Sequence, residues 1–341
     1  YIAVLAVGMT LVIVIRHVDL SVGFLAGFLG AVAAILMTQF GVSVFLAIPV
    51  VLVLGVVAGL LTAVLVAKLG IPSFVATLAG WLIYRGVLLL ITLDTGTIII
   101  PDEFFNAIGN AYIPDFPVMG FLPEMHKLTA LLGILAIAFY VFGELKSRAA
   151  KKKYNFEVMP ADVFVLKLVF VSLLLGAITW VLSGYNGMSW TLAIVLVVVF
   201  VYHFITTQTV LGRHIYAVGG NPEAAELSGI SVKKITYVVF GSMGLLTGLS
   251  GILFASRLQS ATTTAGTLFE LDAIAAAYIG GVSAAGGIGK VTGSLIGALV
   301  YMSLTNGMNL LTIDISSQYI VRGAVLALAV IFDVMTRRAK R

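Results

Sequence analysis

Long apolar runs, each about the length of a membrane-crossing helix and nearly free of charge, recur along the whole chain. A bilayer core takes about 20 residues of α-helix to cross. A soluble globule cannot carry run after run of this kind, because its surface would lack the charge that solvates it. Of the 341 residues 60% are hydrophobic and only 10% charged, against about 25% charge in an ordinary soluble domain. The sequence therefore predicts an all-α polytopic membrane protein, a bundle of roughly eleven membrane segments in one transmembrane domain over 1–341. The segments lie near 1–15, 24–40, 44–67, 71–92, 128–142, 162–182, 191–205, 236–255, 272–285, 291–311 and 319–334. Tyr1 opens directly into an apolar run with no initiator methionine, so a further N-terminal segment is expected ahead of it.

Positive charge is clustered within a net charge of +5, at 146–153, at Arg213, Lys233 and Lys234, and at 337–341. Lysine and arginine near helix ends mark the cytoplasmic side. Two segments separate the first two clusters and four separate Lys234 from the tail, so all three clusters, with Lys68, share one side. The stretch 93–126 then falls outside as a periplasmic loop. It carries Asp102, Glu103, Asp115 and Glu124. The stretch 210–235 falls inside.

The composition excludes several chemistries. There is no cysteine, so neither a disulfide framework nor a thiolate metal site is available. His17, His126, His203 and His214 lack metal-ligand spacing. No nucleophile–base constellation is visible. The run from Gly286 to Val291 is glycine-rich, but a phosphate loop needs glycine where Ala284 stands and serine or threonine where Val291 stands. The chain is read as a non-enzyme without a nucleotide site or cofactor of its own.

Glycine is abundant, at 36 residues, and much of it is spaced four apart: Gly23 with Gly27, Gly55 with Gly59, Gly244 with Gly248, and Gly289, Gly293 and Gly297. Small residues at that spacing let membrane helices approach closely, and packing is the reading for most of them. Charged groups within apolar surroundings are the candidates for a path or gate. Asp19, with Ser21, lies between two segments. Its plain reading is a turn in which Asp19 pairs with Arg16 or caps the next helix; its functional reading is an element beside the transport path. Arg85 lies inside an apolar run and must snorkel or find a partner, while Arg257 and Arg322 can reach an interface. Glu270 and Asp272 open a small-residue helix that Gly280 and Gly281 break. Broken helices survive in a bilayer only where protein or a watery cavity satisfies the backbone. Capping at the helix start and a place on the path are both open for the two acids.

The most informative stretch follows His203. Asn221 is a good N-cap, Pro222 suits the first helical position, Glu223 lies in the first turn and Gly229 can close the helix. A short capped helix, Asn221-Pro222-Glu223-Ala224-Ala225-Glu226-Leu227-Ser228-Gly229, is thus encoded between two membrane segments. A mere connector does not need one; a docking element for a cytoplasmic partner does.

At this stretch the sequence resembles the permeases of ribose-, galactose- and xylose-type ABC sugar importers. The resemblance also rests on 12–30, above all Asp19-Leu20-Ser21-Val22-Gly23, on Leu271-Asp272-Ala273-Ile274-Ala275-Ala276, on Gly280-Gly281 and Gly286-Gly287, and on Asn306-Gly307-Met308-Asn309-Leu310. It covers essentially the whole chain. An added helix pair near 162–205 is similar to the xylose or multiple-monosaccharide branch, whereas Arg16-His17 departs from the small or acidic residues usual there. The resemblance implies a bacterial inner-membrane subunit that moves xylose or a related monosaccharide inward. It implies a second permease copy, a periplasmic sugar-binding protein, and a cytoplasmic ATPase that holds ATP and Mg²⁺ and seats 221–229 as a coupling helix. An ion-coupled secondary transporter is the alternative. It would need titratable groups near the midplane, and Asp19, Glu270 and Asp272 each sit nearer an end.

Overall fold

The apolar runs form helices because unsatisfied backbone groups cannot be tolerated in lipid. The computed structural model describes residues 1–116 and 125–338; Glu124 and the last three residues of the basic tail lie outside them. The elements are α1 (Ile2–Val14), α2 (Val22–Thr38), α3 (Val44–Ala63), α4 (Ser73–Ile91), β1 (Thr97–Ile99), α5 (Glu103–Asn110), α6 (Lys127–Lys153) and α7 (Ala161–Ser183). They continue with α8 (Trp190–Gln208), α9 (Val210–Gly220), α10 (Pro222–Leu227), α11 (Val232–Leu258), β2 (Ser260–Thr262), α12 (Phe269–Ile279), α13 (Val291–Leu310) and α14 (Ile315–Arg338). A π-helical segment, Val64–Lys68, prolongs α3.

Each of the eleven expected segments contains a helix, and the protein is a multi-pass membrane protein. Among the described residues seven helices are long and apolar enough to cross a membrane by length and composition alone: α3 with its π extension, α4, α6, α7, α8, α11 and α14. The helices α1 and α2 are apolar but shorter. The segment expected at 272–285 ends as a helix at Ile279. Its 11 residues rise only about 16 Å, too little for a crossing.

The chain divides into two compact units, one of 1–109 with 194–341 and one of 110–193. In the larger unit α11 is the centre: 72% of its apolar window is buried, and it packs against α1, α2 and α3. The helix α1 is buried on nearly all sides, from Val4 to Val14, and also meets α12 and α13. Close approach explains the glycines. A Cβ on Gly55 would strike the carbonyl of Gly244, and one on Gly244 the carbonyl of Gly55. In lipid this proximity supplies the dispersion contacts that hold α3 to α11. The strands β1 and β2 pair antiparallel, Ile98 opposite Ala261, so the stretch 93–126 holds a strand and α5.

The smaller unit is built on α6 and α7. Lys167 Nζ donates to Glu144 Oε1 at 2.7 Å, and the Arg148 guanidinium lies 4.4 Å from the centre of the Phe164 ring. The added pair expected at 162–205 corresponds to α7 and α8, but the compact grouping is of α6 with α7. Before α6, Asp115 accepts backbone N–H groups from Phe116, Leu128 and Lys127 at 2.8–2.9 Å. His126 caps the same helix, its Nδ1 accepting from the Thr129 N–H. Burial alone would push the Asp115 carboxyl up, but the three N–H donors and His126 outweigh it and hold the group at about 2, as expected of an anion at a helix N-terminus.

Candidate functional site

The helix α10 forms where local signals place it. Asn221 Oδ1 accepts the Ala224 N–H at 3.1 Å, and Pro222 follows as the first helical residue. The C-terminus closes on two bonds, Gly229 N–H to Glu226 O and Ile230 N–H to Ala225 O, each 2.9 Å, with Gly229 at φ +82°. This is the Schellman arrangement, which needs a left-handed residue at that position and so favours glycine. Ser228 Oγ adds a bond to Ala224 O at 2.8 Å. Ala225 is buried and anchors the helix, whereas Glu223, Ala224, Glu226, Leu227 and Ser228 are exposed. Leu227 is 92% exposed. Two carboxylates and a bare leucine on a rigid single-turn platform suit a partner with a basic rim and an apolar notch.

The helix is not isolated. Ahead of it stands α9, capped by Thr209 Oγ1, which accepts the Gly212 N–H at 3.2 Å. Thr209 three residues before Gly212 was the available sequence signal. From the end of α9 the carbonyls of Gly219 and Gly220 accept hydrogen bonds from Arg16, that to Gly219 from Nε at 2.7 Å and that to Gly220 from Nη2. The expected Asp19–Arg16 pair is therefore not the one formed. Arg16 is left-handed at φ +65°, and its side chain serves the two glycine carbonyls. The Gly287 N–H donates to Val14 O at 2.8 Å, and the Tyr216 hydroxyl donates to Gly289 O at 2.6 Å. Three loops thus meet behind α10: the turn between α1 and α2, the α9–α10 junction, and the glycine-rich loop after α12.

Asp19 is buried, and its Oδ1 accepts both the backbone N–H of Ser21 at 2.9 Å and its hydroxyl at 2.6 Å. The two residues lock the turn into α2. The helix α12 starts after Leu268, which makes no side-chain cap, with Glu270 and Asp272 buried in its first turn. Glu270 Oε1 accepts the Trp81 indole N–H at 2.9 Å, tying α12 to α4. A side chain at Gly23 would collide with Glu270 Oε2. Asp272 faces Arg322 of α14 at 3.8 Å, so that arginine turns toward a carboxylate rather than an interface. Arg85 instead lies over the Phe24 and Trp81 rings, 5.3 and 5.5 Å from their centres, a way to hold a cation in an apolar bundle. At the far end of α12, Gly280 is pressed against the backbone of Gly293 on α13, and Gly281 turns the chain at φ +85°. Among the described residues no group of histidine, aspartate and glutamate could hold a metal ion.

A family model described as the permease component of branched-chain amino acid transport systems matches residues 1–330. The xylose transport system permease protein of Escherichia coli (strain K12) is 39% identical over 338 residues, covering 98% of this chain and 82% of that one. Its namesake from Haemophilus influenzae is 38% identical over 336 residues, 98% of this chain and 86% of that one. The ribose import permease protein of Escherichia coli (strain K12) is 35% identical over 331 residues, 97% of this chain and 81% of that one. No solved structure matches the chain.

Proposed function

The chain belongs to the family of branched-chain amino acid transport system permease components, and we propose that within it the chain is the membrane-spanning subunit of an ATP-driven importer of xylose or a related monosaccharide. The names of its relatives, xylose and ribose permeases at 35–39% identity, support that substrate class. The observation that carries the mechanism is α10: a doubly closed, exposed helical turn whose base is bonded through α9 and Arg16 to the loop behind α12. In this reading 221–229 is the coupling helix, 210–235 faces the cytoplasm and 93–126 faces the periplasm. The membrane segments, with α12 entering the bilayer rather than crossing it, form one permease domain of a bacterial inner-membrane protein. Two copies pair with two cytoplasmic ATPases and take sugar from a periplasmic binding protein. The ATPase holds ATP and Mg²⁺; this chain transmits its closure. Asp19 and Ser21 hold the turn at the path, while Glu270, Asp272, Gly280 and Gly281 set the position of α12 along it.

The test is uptake by the complete complex in proteoliposomes. ATP-dependent accumulation of D-xylose or D-ribose that needs the binding protein and ignores a protonophore is expected. Uptake indifferent to ATP and abolished by a protonophore would refute the reading in favour of ion coupling.

A further inference from the structure

A cavity of about 420 Å³ opens between α12, α13 and α14. That is within the range of about 300–1,000 Å³ taken by small-molecule sites. Its polar lining is Asp272, Arg322, Thr267, Tyr301 and Tyr319, set among three leucines. The 3.8 Å between Asp272 Oδ1 and Arg322 Nη1 is longer than a hydrogen bond. The two side chains are only 8% and 21% exposed, and among the described residues the buried Nε of Arg322 has no hydrogen-bond partner. Asp272 accepts the Tyr301 hydroxyl, but a buried guanidinium with an unmade hydrogen bond costs stability rather than adding it, so packing alone does not account for Arg322. A ligand rich in hydroxyls does. Each hydroxyl both donates and accepts, so one can donate to Asp272 while its neighbour accepts from Arg322. The leucines and the half-exposed Tyr319 ring offer a surface for the C–H face of a sugar ring, whereas Tyr301 is buried. The helix beside the cavity is broken at both ends, at left-handed Leu268 and at Gly280-Gly281, the form of helix that lines substrate paths within bilayers.

We propose that this cavity is a transit site for a monosaccharide, held through its hydroxyls by Asp272, Arg322 and the Tyr319 hydroxyl and through its C–H face by the leucines. The proposal rests on the sugar-permease reading and locates the substrate within it. Because its base is α12, the same helix that receives motion from α10, occupancy and release follow the coupling stroke.

Gly323 supplies the test. It lines the cavity, and a Cβ added there meets no heavy atom within 4 Å, so Gly323→Phe puts bulk at the cavity wall from a position with room for a side chain. Uptake of D-xylose and of D-ribose is measured with the complete complex in proteoliposomes, with co-purification of the ATPase as the check of folding. Gly323→Phe is expected to lower uptake at least about tenfold, and Asp272→Asn to shift the xylose-to-ribose ratio by about three- to tenfold, the worth of one hydrogen bond. A purely structural role for Asp272 would lower both sugars alike. Tyr319→Phe, the loss of one hydroxyl from a half-exposed side chain, shifts the same ratio and serves if the other variants fail to assemble. Wild-type uptake by Gly323→Phe, or an unchanged ratio in Asp272→Asn and Tyr319→Phe, overturns the site. Loss of pairing between two copies in an assembled Gly323→Phe also overturns it, by making the cavity an interface. A wild-type complex that imports neither sugar instead refutes the sugar-permease reading.

Discussion

Replacing Arg16 with methionine should loosen the α9–α10 junction from the turn between α1 and α2. The aliphatic stem of Arg16 lies against Gly286, and methionine keeps that contact. The substitution removes the two charge-assisted bonds to Gly219 and Gly220. Bonds from a charged donor contribute about 1.5–3 kcal/mol each, but Arg16 is exposed, and solvent screening reduces the pair to about 1–2 kcal/mol. That is a factor of about 5–30 in the population whose α9–α10 junction is engaged. The assay is sugar accumulated per ATP hydrolysed by the complete complex. The expected result is a ratio about 5–30 times lower, with the ATPase still bound. Arg16→Gly is the companion variant. The left-handed conformation of Arg16 costs a non-glycine residue about 1–2 kcal/mol, which glycine relieves. That relief offsets the loss of the two bonds, so thermal stability should hold while the ratio falls. Wild-type ratios in both variants, or ratios that merely follow stability, would refute the transmission path.

Replacing Glu223 and Glu226 together with lysine should weaken ATPase docking while membrane insertion persists; a variant complex that purifies whole and transports normally contradicts the docking role. Gly244→Leu should destabilise the bundle by about 1–3 kcal/mol or more, because its side chain meets the Gly55 carbonyl, and an unshifted melting temperature would remove that helix contact from the account. Asp115 has its folded pKa lowered from 3.8 to about 2, so its contribution to stability is complete above about 3.8 and is lost as pH falls toward about 2. The melting-temperature difference between wild type and Asp115→Asn should shrink over that window, and a difference independent of pH would show that its hydrogen bonds do not depend on the charge.

The helical elements were legible because lipid enforces a simple rule of length and apolarity. The helix α10 was legible because its signals are local: Asn221, Pro222 and Gly229 act within a few bonds of themselves. What escaped the sequence is non-local. Nothing in Arg16 announces that it reaches Gly219 and Gly220, some two hundred positions away, or that it leaves Asp19 to Ser21. The Arg322–Asp272 pairing and the β1–β2 ladder are of the same kind, set by packing that no window of sequence contains. The segment at 272–285 is short for a full crossing by sequence alone, and the backbone ends its helix earlier still, at Ile279, where Gly280 and Gly281 follow. Glycine spacing gave the right helices to pack but not their partners, since closeness to Phe240 or Gly266 depends on the whole bundle.

The absence of cysteine makes one measurement decisive. Glu226→Cys gives a single thiol on the exposed face of α10, to be labelled with a membrane-impermeant maleimide in sealed vesicles of each orientation. Labelling in inside-out vesicles alone, suppressed when the ATPase is bound, is the expected result. Labelling of right-side-out vesicles would place α10 on the outer face and contradict the claim that it receives force from a cytoplasmic partner.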